Sequence, residues 1–352
     1  MNFFTDISHL IDNADWKSVV HFVKPYLKMG RVSVAELEKS YGTFFHHYRL
    51  VEDIQDAQFA ILPLDMEYYV LNKRENQMFE FIQRAKDAGK EVITQTNGDY
   101  GITLSIKDVI VLSQNGYQSK RFPKQYAFPC LFADPLQEFY NTSNILVRNK
   151  GEKPIIGFDG LARVSVLKNL FDVTRIAFHN MKSLLGLSIY NSNVWYSTTL
   201  YRTKALNLIE RDKRLITHFN KRRKYKAGAK NLQDGRRLRQ EFFDNMVESD
   251  YILCVRGLGN FSKRLYETLA MGRIPIFINT DCILPFDNII DWKEYCIWVE
   301  ESNLSNIGDI IYQFHYNLTN EQFREMQCAS RKLWEEHLSG NGAMMSLRTL
   351  IQ

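Results

Sequence analysis

The chain has 352 residues, 45% of them apolar, with a formal charge of +5. That length allows two domains of ordinary size with substantial cores. No apolar run approaches the roughly 20 residues of a spanning helix, and the mild positive excess suits a polyanionic partner without requiring one. Five scattered cysteines without a C-x-x-C read as reduced thiols, not a metal knot. Asp6 and Asp12 precede any Lys or Arg, so the first residues do not read as a signal peptide.

In chain order, residues 1–50 suggest an amphipathic helical lead-in, bent at Pro25. His46 and His47 sit among aromatics and read as structural histidines. Residues 59–64 form a strand with Pro63 at its end. Asp65 and Glu67 follow, where strand ends line a crevice. A general base for a hydroxyl must be a carboxylate or a histidine there, so both are candidates; solvated turn carboxylates are the alternative. Residues 74–89 suit a charged helix, 91–96 a strand, and 97–101 an Asn-Gly turn. Strands at 109–112 and 127–132 complete one αβ alternation, which argues for a parallel sheet.

A polar stretch at 140–152 marks a boundary. We expect domains at 1–148 and 149–335, with a C-terminal helix at 336–352 that could cross back to the first domain. A strand at 153–158 opens the second domain and runs into a glycine loop at 157–160. Gly160 and Arg163 are then candidates for holding a phosphate, or Arg163 is a helix-surface arginine. Residues 164–212 are mostly helical, with a loop at 191–199. A strand at 215–219 leads to the densest basic run, at 220–226, which includes Lys221 and Lys226. It reads as a solvated loop, or as a contact for an anionic acceptor or membrane face. No nucleic-acid-binding motif is present, so no nucleic-acid partner is expected.

The centre of the chain is residues 249–292. The apolar run at 251–255 is a buried strand, and a loop of Arg256, Gly257, Leu258 and Gly259 follows. Phe261, Leu265 and Leu269 then share one helix face, and Gly272 ends the helix. The glycines allow close approach of a ligand. Free N–H groups at the helix start favour an anion. Asn260 or Ser262 could cap that helix or bond a phosphate oxygen. Arg264 and Glu267 lie three apart, one suited to a diphosphate and the other to ribose hydroxyls. A plain Arg–Glu pair on a solvated face is the alternative, since R-G-x-G is not the dinucleotide fingerprint.

The order of these features resembles the exostosin-like glycosyltransferases. The strand ends in Arg256-Gly257, and Ser262, Arg264 and Glu267 follow. Gly272-Arg273-Ile274-Pro275 leads into a strand, and Leu284-Pro285-Phe286 precedes Asp291-Trp292. The resemblance is strong over about residues 245–300. It implies a GT-B architecture: two α/β Rossmann-like domains with parallel sheets facing an interdomain cleft, the nucleotide sugar held by the second. It implies inverting transfer without a metal, with a nucleotide-diphosphate sugar, UDP-sugar first, as co-substrate and no other cofactor. Arg256, Gly257, Gly259, Asn260, Ser262, Arg264 and Glu267 would hold the donor, with Gly160 and Arg163. The family pattern adds Arg202 as a donor-side arginine and Asp99 as a third candidate base. A glycan or glycolipid acceptor in surface polysaccharide synthesis is the expected setting. Animal members typically carry an N-terminal anchor, which these first residues do not resemble. A cytoplasmic, bacterial protein, at most peripheral at the inner membrane face, is therefore expected. The rivals are a nucleotide-sugar epimerase or hydrolase on the same fold, and a non-catalytic glycan-binding or scaffold protein.

Overall fold

Short apolar runs become parallel strands in both halves of the chain. The computed structural model describes residues 1–10, 16–103, 106–162, 166–223 and 231–351. They fall into two compact units. One comprises Met1–Leu131, Ile283–Phe286 and Glu336–Gln352; the other comprises Phe132–Cys282 and Asp287–Glu335.

The first unit holds strands β1 (Asn2–Phe4), β2 (Arg49–Leu50), β3 (Phe59–Ile61), β4 (Glu91–Thr96), β5 (Val109–Ser113) and β6 (Gln125–Ala127). They form one parallel sheet in the order β2-β1-β3-β4-β5-β6. Its helices are α1 (Lys24–Lys28), α2 (Val34–Tyr41), α3 (Met66–Leu71) and α4 (Glu75–Asp87). The N-terminal residues, expected as a helical lead-in, begin with β1, and Phe3 is fully buried. Three residues are too few to show a period; pairing with β2 and β3 makes them a strand. Pro25 opens α1, where its missing N–H costs nothing. Ser33 and Glu36 close a reciprocal cap at the start of α2.

The second unit holds α5 (Pro135–Tyr140), β7 (Ile155–Leu161), α6 (Val166–Leu184), α7 (Thr198–Arg211), β8 (Ile216–Arg222), α8 (Leu232–Val247) and β9 (Tyr251–Cys254). It continues with α9 (Lys263–Ala270), β10 (Ile274–Asn279), β11 (Ile297–Glu300), α10 (Ile307–Asn317) and α11 (Asn320–Leu333). A last helix, α12 (Gly340–Ser346), belongs to the first unit, where Asn341 accepts from Thr43 N at 3.0 Å. The second sheet is also parallel, in the order β11-β10-β9-β7-β8. The expected pair of parallel-sheet α/β domains is borne out.

Two local readings change. Residues 157–160 were expected as a glycine loop but lie inside β7. A Cβ on Gly157 would stand 2.4 Å from Ser249 Oγ and 2.8 Å from Ile252 Cδ1, so this glycine serves packing. The basic run was expected as a loop from residue 220, yet β8 extends through Arg222. Its cations are drawn into the sheet by carboxylates: Lys221 pairs with Glu210 at 2.5 Å and Arg222 with Asp159 at 2.5 Å.

In an open parallel sheet, ligands gather at the carboxyl ends of the strands where the winding direction reverses. In the second sheet that point lies between β7 and β9, and α9 starts beside it. Gly272 ends α9 at φ +60°, and a Cβ there would stand 2.7 Å from Ile145 Cγ2. Gly272→Ala should therefore lower unfolding stability by about 1–3 kcal/mol, read from the denaturant midpoint, through left-handed strain plus this clash. A wild-type midpoint would show that the turn can relax.

Candidate functional site

Three arginines crowd the point where the second sheet reverses. Arg202, on the first turns of α7, donates from Nη1 to Leu161 O at 2.8 Å and from Nη2 to Arg256 O at 3.0 Å. It thereby ties the end of β7 to the loop after β9. Arg264, on α9, donates from Nη2 to Asp159 O at 2.7 Å. Its guanidinium lies over the Phe158 ring at 4.3 Å and near Phe242 at 5.6 Å. Arg256 is 2% exposed and donates to Asn193 Oδ1 at 2.6 Å. Asn193 in turn donates to Leu258 O at 2.8 Å, so residue 193 clips the loop in place.

Arg202 and Arg264 are oriented by main-chain carbonyls and not by direct ion pairs. Among the described residues, neither lies within ion-pair distance of a carboxylate, and the Nε of each is buried with no hydrogen-bond partner. Burial, then the like charge of Arg264, pulls the Arg202 pKa down to about 10, so it remains protonated at neutrality. Burial also lowers the pKa of Arg264. The nearest acids are taken. Arg222 holds the Asp159 carboxylate through two bonds of 2.5 and 2.6 Å. Glu267, 3% exposed, accepts from Arg239 at 2.9 Å and lies 3.5 Å from Lys263. Such a group of cations is suited to a multiply charged anion.

The remaining loop residues divide. Asn260 donates to Thr280 O at 3.0 Å and Asp281 O at 3.1 Å and accepts from Thr280 Oγ1 at 2.7 Å, which fixes the loop to the end of β10. Ser262 stands at the N-cap of α9 without a side-chain cap bond. Gly259 is buried in the loop. A Cβ on Gly257 would meet nothing within 4 Å, so no packing demands that glycine. Gly160 differs: its Cβ would stand 2.7 Å from Arg264 Nη2. Arg163 lies outside the described residues, as do Lys224, Tyr225 and Lys226.

In the first unit the candidate carboxylates sit at the carboxyl ends of β3 and β4. Asp65, 5% exposed, caps α3 by accepting from Tyr68 N at 2.7 Å and accepts from Asn97 Nδ2 at 2.9 Å. Glu67, 6% exposed, accepts from Asn97 N at 3.2 Å and Gly98 N at 3.1 Å. Burial dominates there. With a smaller push from Asp65, it outweighs those hydrogen bonds and raises the Glu67 pKa to about 7. Asp99 is exposed on the same turn. Asp65 and Glu67 thus meet around Asn97 and Gly98, and Asp99 points into none of those bonds.

Residues 190–314 match the Exostosin GT47 domain. That stretch carries Arg202, Arg256, Arg264, Glu267 and the whole loop between β9 and α9. The similar curated proteins include the rice "Probable glucuronosyltransferase GUT1", 32% identical over 72 residues, or 20% of this chain and 17% of that protein. Mouse exostosin-2 is 30% identical over 105 residues, or 30% of this chain and 14% of it. The chain thus spans under a fifth of the length of these relatives. Among solved structures, Anabaena HepE in complex with UDP and glucose aligns over 99% of both chains, with 6% identity and a TM-score of 0.41.

Within the matched stretch, sequence reading missed Asn193, and before it Asp159. Asn193 had no local signal, since its partners are Asn180 and the loop 65 residues on. Asp159 stood in a stretch read as loop, and only the register of β7 against β8, which pairs Asp159 with Asn220, brings Arg222 to it.

Gly160→Ala should push the Arg264 guanidinium off Asp159 O. We expect pyrophosphate affinity, measured by calorimetry, to fall about tenfold while stability stays within about 1 kcal/mol of wild type. Unchanged affinity would remove Arg264 from the anion site. A second expectation concerns Glu67. Its folded pKa is raised from 4.5 to about 7, so its contribution favours the fold at low pH and is lost as pH rises through that window. Wild-type stability should decline between about pH 4.5 and 7 relative to Glu67→Gln, in paired denaturant titrations. Parallel pH profiles would show that folding leaves the Glu67 pKa unshifted.

Proposed function

We propose that the protein is an inverting glycosyltransferase that moves a sugar from a nucleoside-diphosphate donor, a UDP-sugar first, to a glycan acceptor. The observation that carries this reading is the set of three arginines around the β7 and β9 ends, two of them held by carbonyls and aromatic faces and not by acids. A departing nucleoside diphosphate gains negative charge as the glycosidic bond breaks. Fixed guanidiniums aimed at that charge stabilise the transition state more than the ground state. The acceptor hydroxyl oxygen forms the new bond to the anomeric carbon, and the bond to the diphosphate oxygen breaks. Glu67 takes the hydroxyl proton. With a pKa near 7 it is poised to accept a proton at neutrality and to release it afterwards. Asp65, committed to the α3 cap and Asn97, holds the turn. Attack opposite the leaving group inverts the anomeric carbon.

The arginines supply the leaving-group charge stabilisation that a divalent cation would otherwise give, so metal independence belongs to this reading. The setting is bacterial surface polysaccharide synthesis, with the protein cytoplasmic and peripheral at the membrane. No helix among the described residues is long and apolar enough to cross a membrane. The basic run from Lys221 to Lys226 would meet acceptor or lipid head groups, with Lys221 and Arg222 first giving up their ion pairs.

The test is turnover with and without an acceptor glycan, in EDTA, for wild type and Arg264→Ala. Free nucleoside diphosphate should appear only with acceptor. The variant should lose about 10²–10³-fold in kcat, the scale of one oxyanion-type donor. Release without acceptor would favour a hydrolase, and wild-type turnover in Arg264→Ala would overturn the site.

A further inference from the structure

A second feature of the same unit adjoins the arginine cluster. A cavity of about 620 Å³ is lined by Tyr196, Leu200, Tyr201, Lys204, Glu301 and Leu304, among others. That volume is in the range of small-molecule sites. Its walls are mostly apolar. The Tyr196 and Tyr201 rings stack, with centroids 5.1 Å apart and planes 28° apart. Glu301 directly follows β11, and α7 begins just after Tyr196, so the cavity opens on the same carboxyl edge as the arginines.

The connection to the arginines is covalent and short. Tyr196 lies three residues after Asn193, whose side chain bonds both Arg256 and Leu258. Tyr201 precedes Arg202, whose guanidinium bonds Arg256 O. The loop that clips Arg256 thus also forms one wall of the cavity.

The polar groups of the cavity define what fits. Tyr196 Oη donates to Glu301 Oε1 at 2.5 Å. The Tyr201 hydroxyl is buried beside the Glu301 carboxylate. Burial, followed by Glu301, raises both phenol pKa values, so both hydroxyls stay protonated donors. Lys204 adds a donor and Glu301 an acceptor. A phosphate only accepts hydrogen bonds and is repelled by a carboxylate. A nucleobase is planar, stacks on an aromatic face, and presents N–H donors beside carbonyl or ring-nitrogen acceptors.

We propose that this cavity takes the nucleobase of the donor, stacked on the Tyr196–Tyr201 pair and read by Glu301 and Lys204, with the diphosphate on the arginines. The assignment rests on the reading of the arginine cluster as a diphosphate site. It gives that site a polarity: cations at the strand ends and an aromatic slot with a mixed donor–acceptor rim beside them.

Calorimetric binding of UDP, GDP, ADP, CDP and inorganic pyrophosphate tests this. Wild type should bind one nucleoside diphosphate at least tenfold more tightly than pyrophosphate. Tyr201→Ala should erase that preference, since one base–aromatic stack accounts for roughly a tenfold change or more. Ser305→Trp, from an exposed position on the rim, should fill the cavity and do the same without disturbing the core. Both should keep wild-type pyrophosphate affinity, whereas Arg264→Ala should lose affinity for both probes. If Tyr201→Ala fails to fold, Ser305→Trp decides. Full nucleotide preference in the folded pocket variants overturns the base assignment and leaves the diphosphate reading standing. Wild type binding neither probe overturns both.

Discussion

The second unit depends on holding three like charges together at the ends of two neighbouring strands. Among the described residues, neither Arg202 nor Arg264 is held by an ion pair, because Asp159 and Glu267 bond other cations. What holds them is a set of main-chain carbonyls (Leu161, Asp159 and Arg256), one side-chain amide, and the faces of Phe158 and Phe242. A carbonyl or a ring orients a guanidinium without cancelling its charge. Burial, and after it the like charge of Arg264, lowers the Arg202 pKa, so the charged guanidinium is held there at a cost. An anion relieves the repulsion. A site that is destabilised alone and stabilised by ligand is what differential binding of a developing charge needs.

The acids that could have quenched the cluster are diverted by construction. Asp159 alternates along β7 so that its carboxylate meets Arg222 of the edge strand, while its carbonyl is left for Arg264. One residue therefore serves the cage twice, through different atoms with different roles. Glu267 is diverted by α8, whose Arg239 reaches it. The i, i+3 spacing of Arg264 and Glu267 placed them on neighbouring rows of α9. It could not say that one row would face β7 and the other α8. This is why the pair reads in sequence as a single diphosphate-and-ribose grip, yet in the structure each member has its own long-range partner. Glu267 would have to exchange Arg239 or Lys263 for a ribose, or hold both.

Most strands were legible because buried parallel strands are short, continuous apolar runs. This held for β3, β4, β5, β9 and β10, and the glycine ending α9 was legible for the same local reason. The failures share a different cause. Strand β1 is three residues long, and β8 ends in charged residues whose strand character comes from Asp159 and Glu210 across the sheet and helix. Gly157 and Gly160 look like loop glycines, yet one makes room for Ser249 and the other for the Arg264 guanidinium. A glycine reports that a Cβ is excluded; only the neighbour reveals whether by a turn, by packing or by a functional group.

The same limit explains the carboxylates of the first unit. Asp65 and Glu67 are two residues apart after one strand, and nothing local ranks them. The distinction comes from β4, which delivers Asn97 and Gly98 beside them. The Asn97 amide side chain bonds Asp65, already fixed as a helix cap by Tyr68 N. The main-chain N–H groups of Asn97 and Gly98 reach Glu67, but burial outweighs them. Asp65 is thereby committed to the helix cap and to Asn97, and Glu67 becomes a group that can change its proton near neutrality. Two similar acids with separated roles are the condition for acid–base work. Here the separation is made by one neighbouring turn, at the carboxyl edge of a parallel sheet, as the arginine cage is made at the equivalent edge of the other sheet.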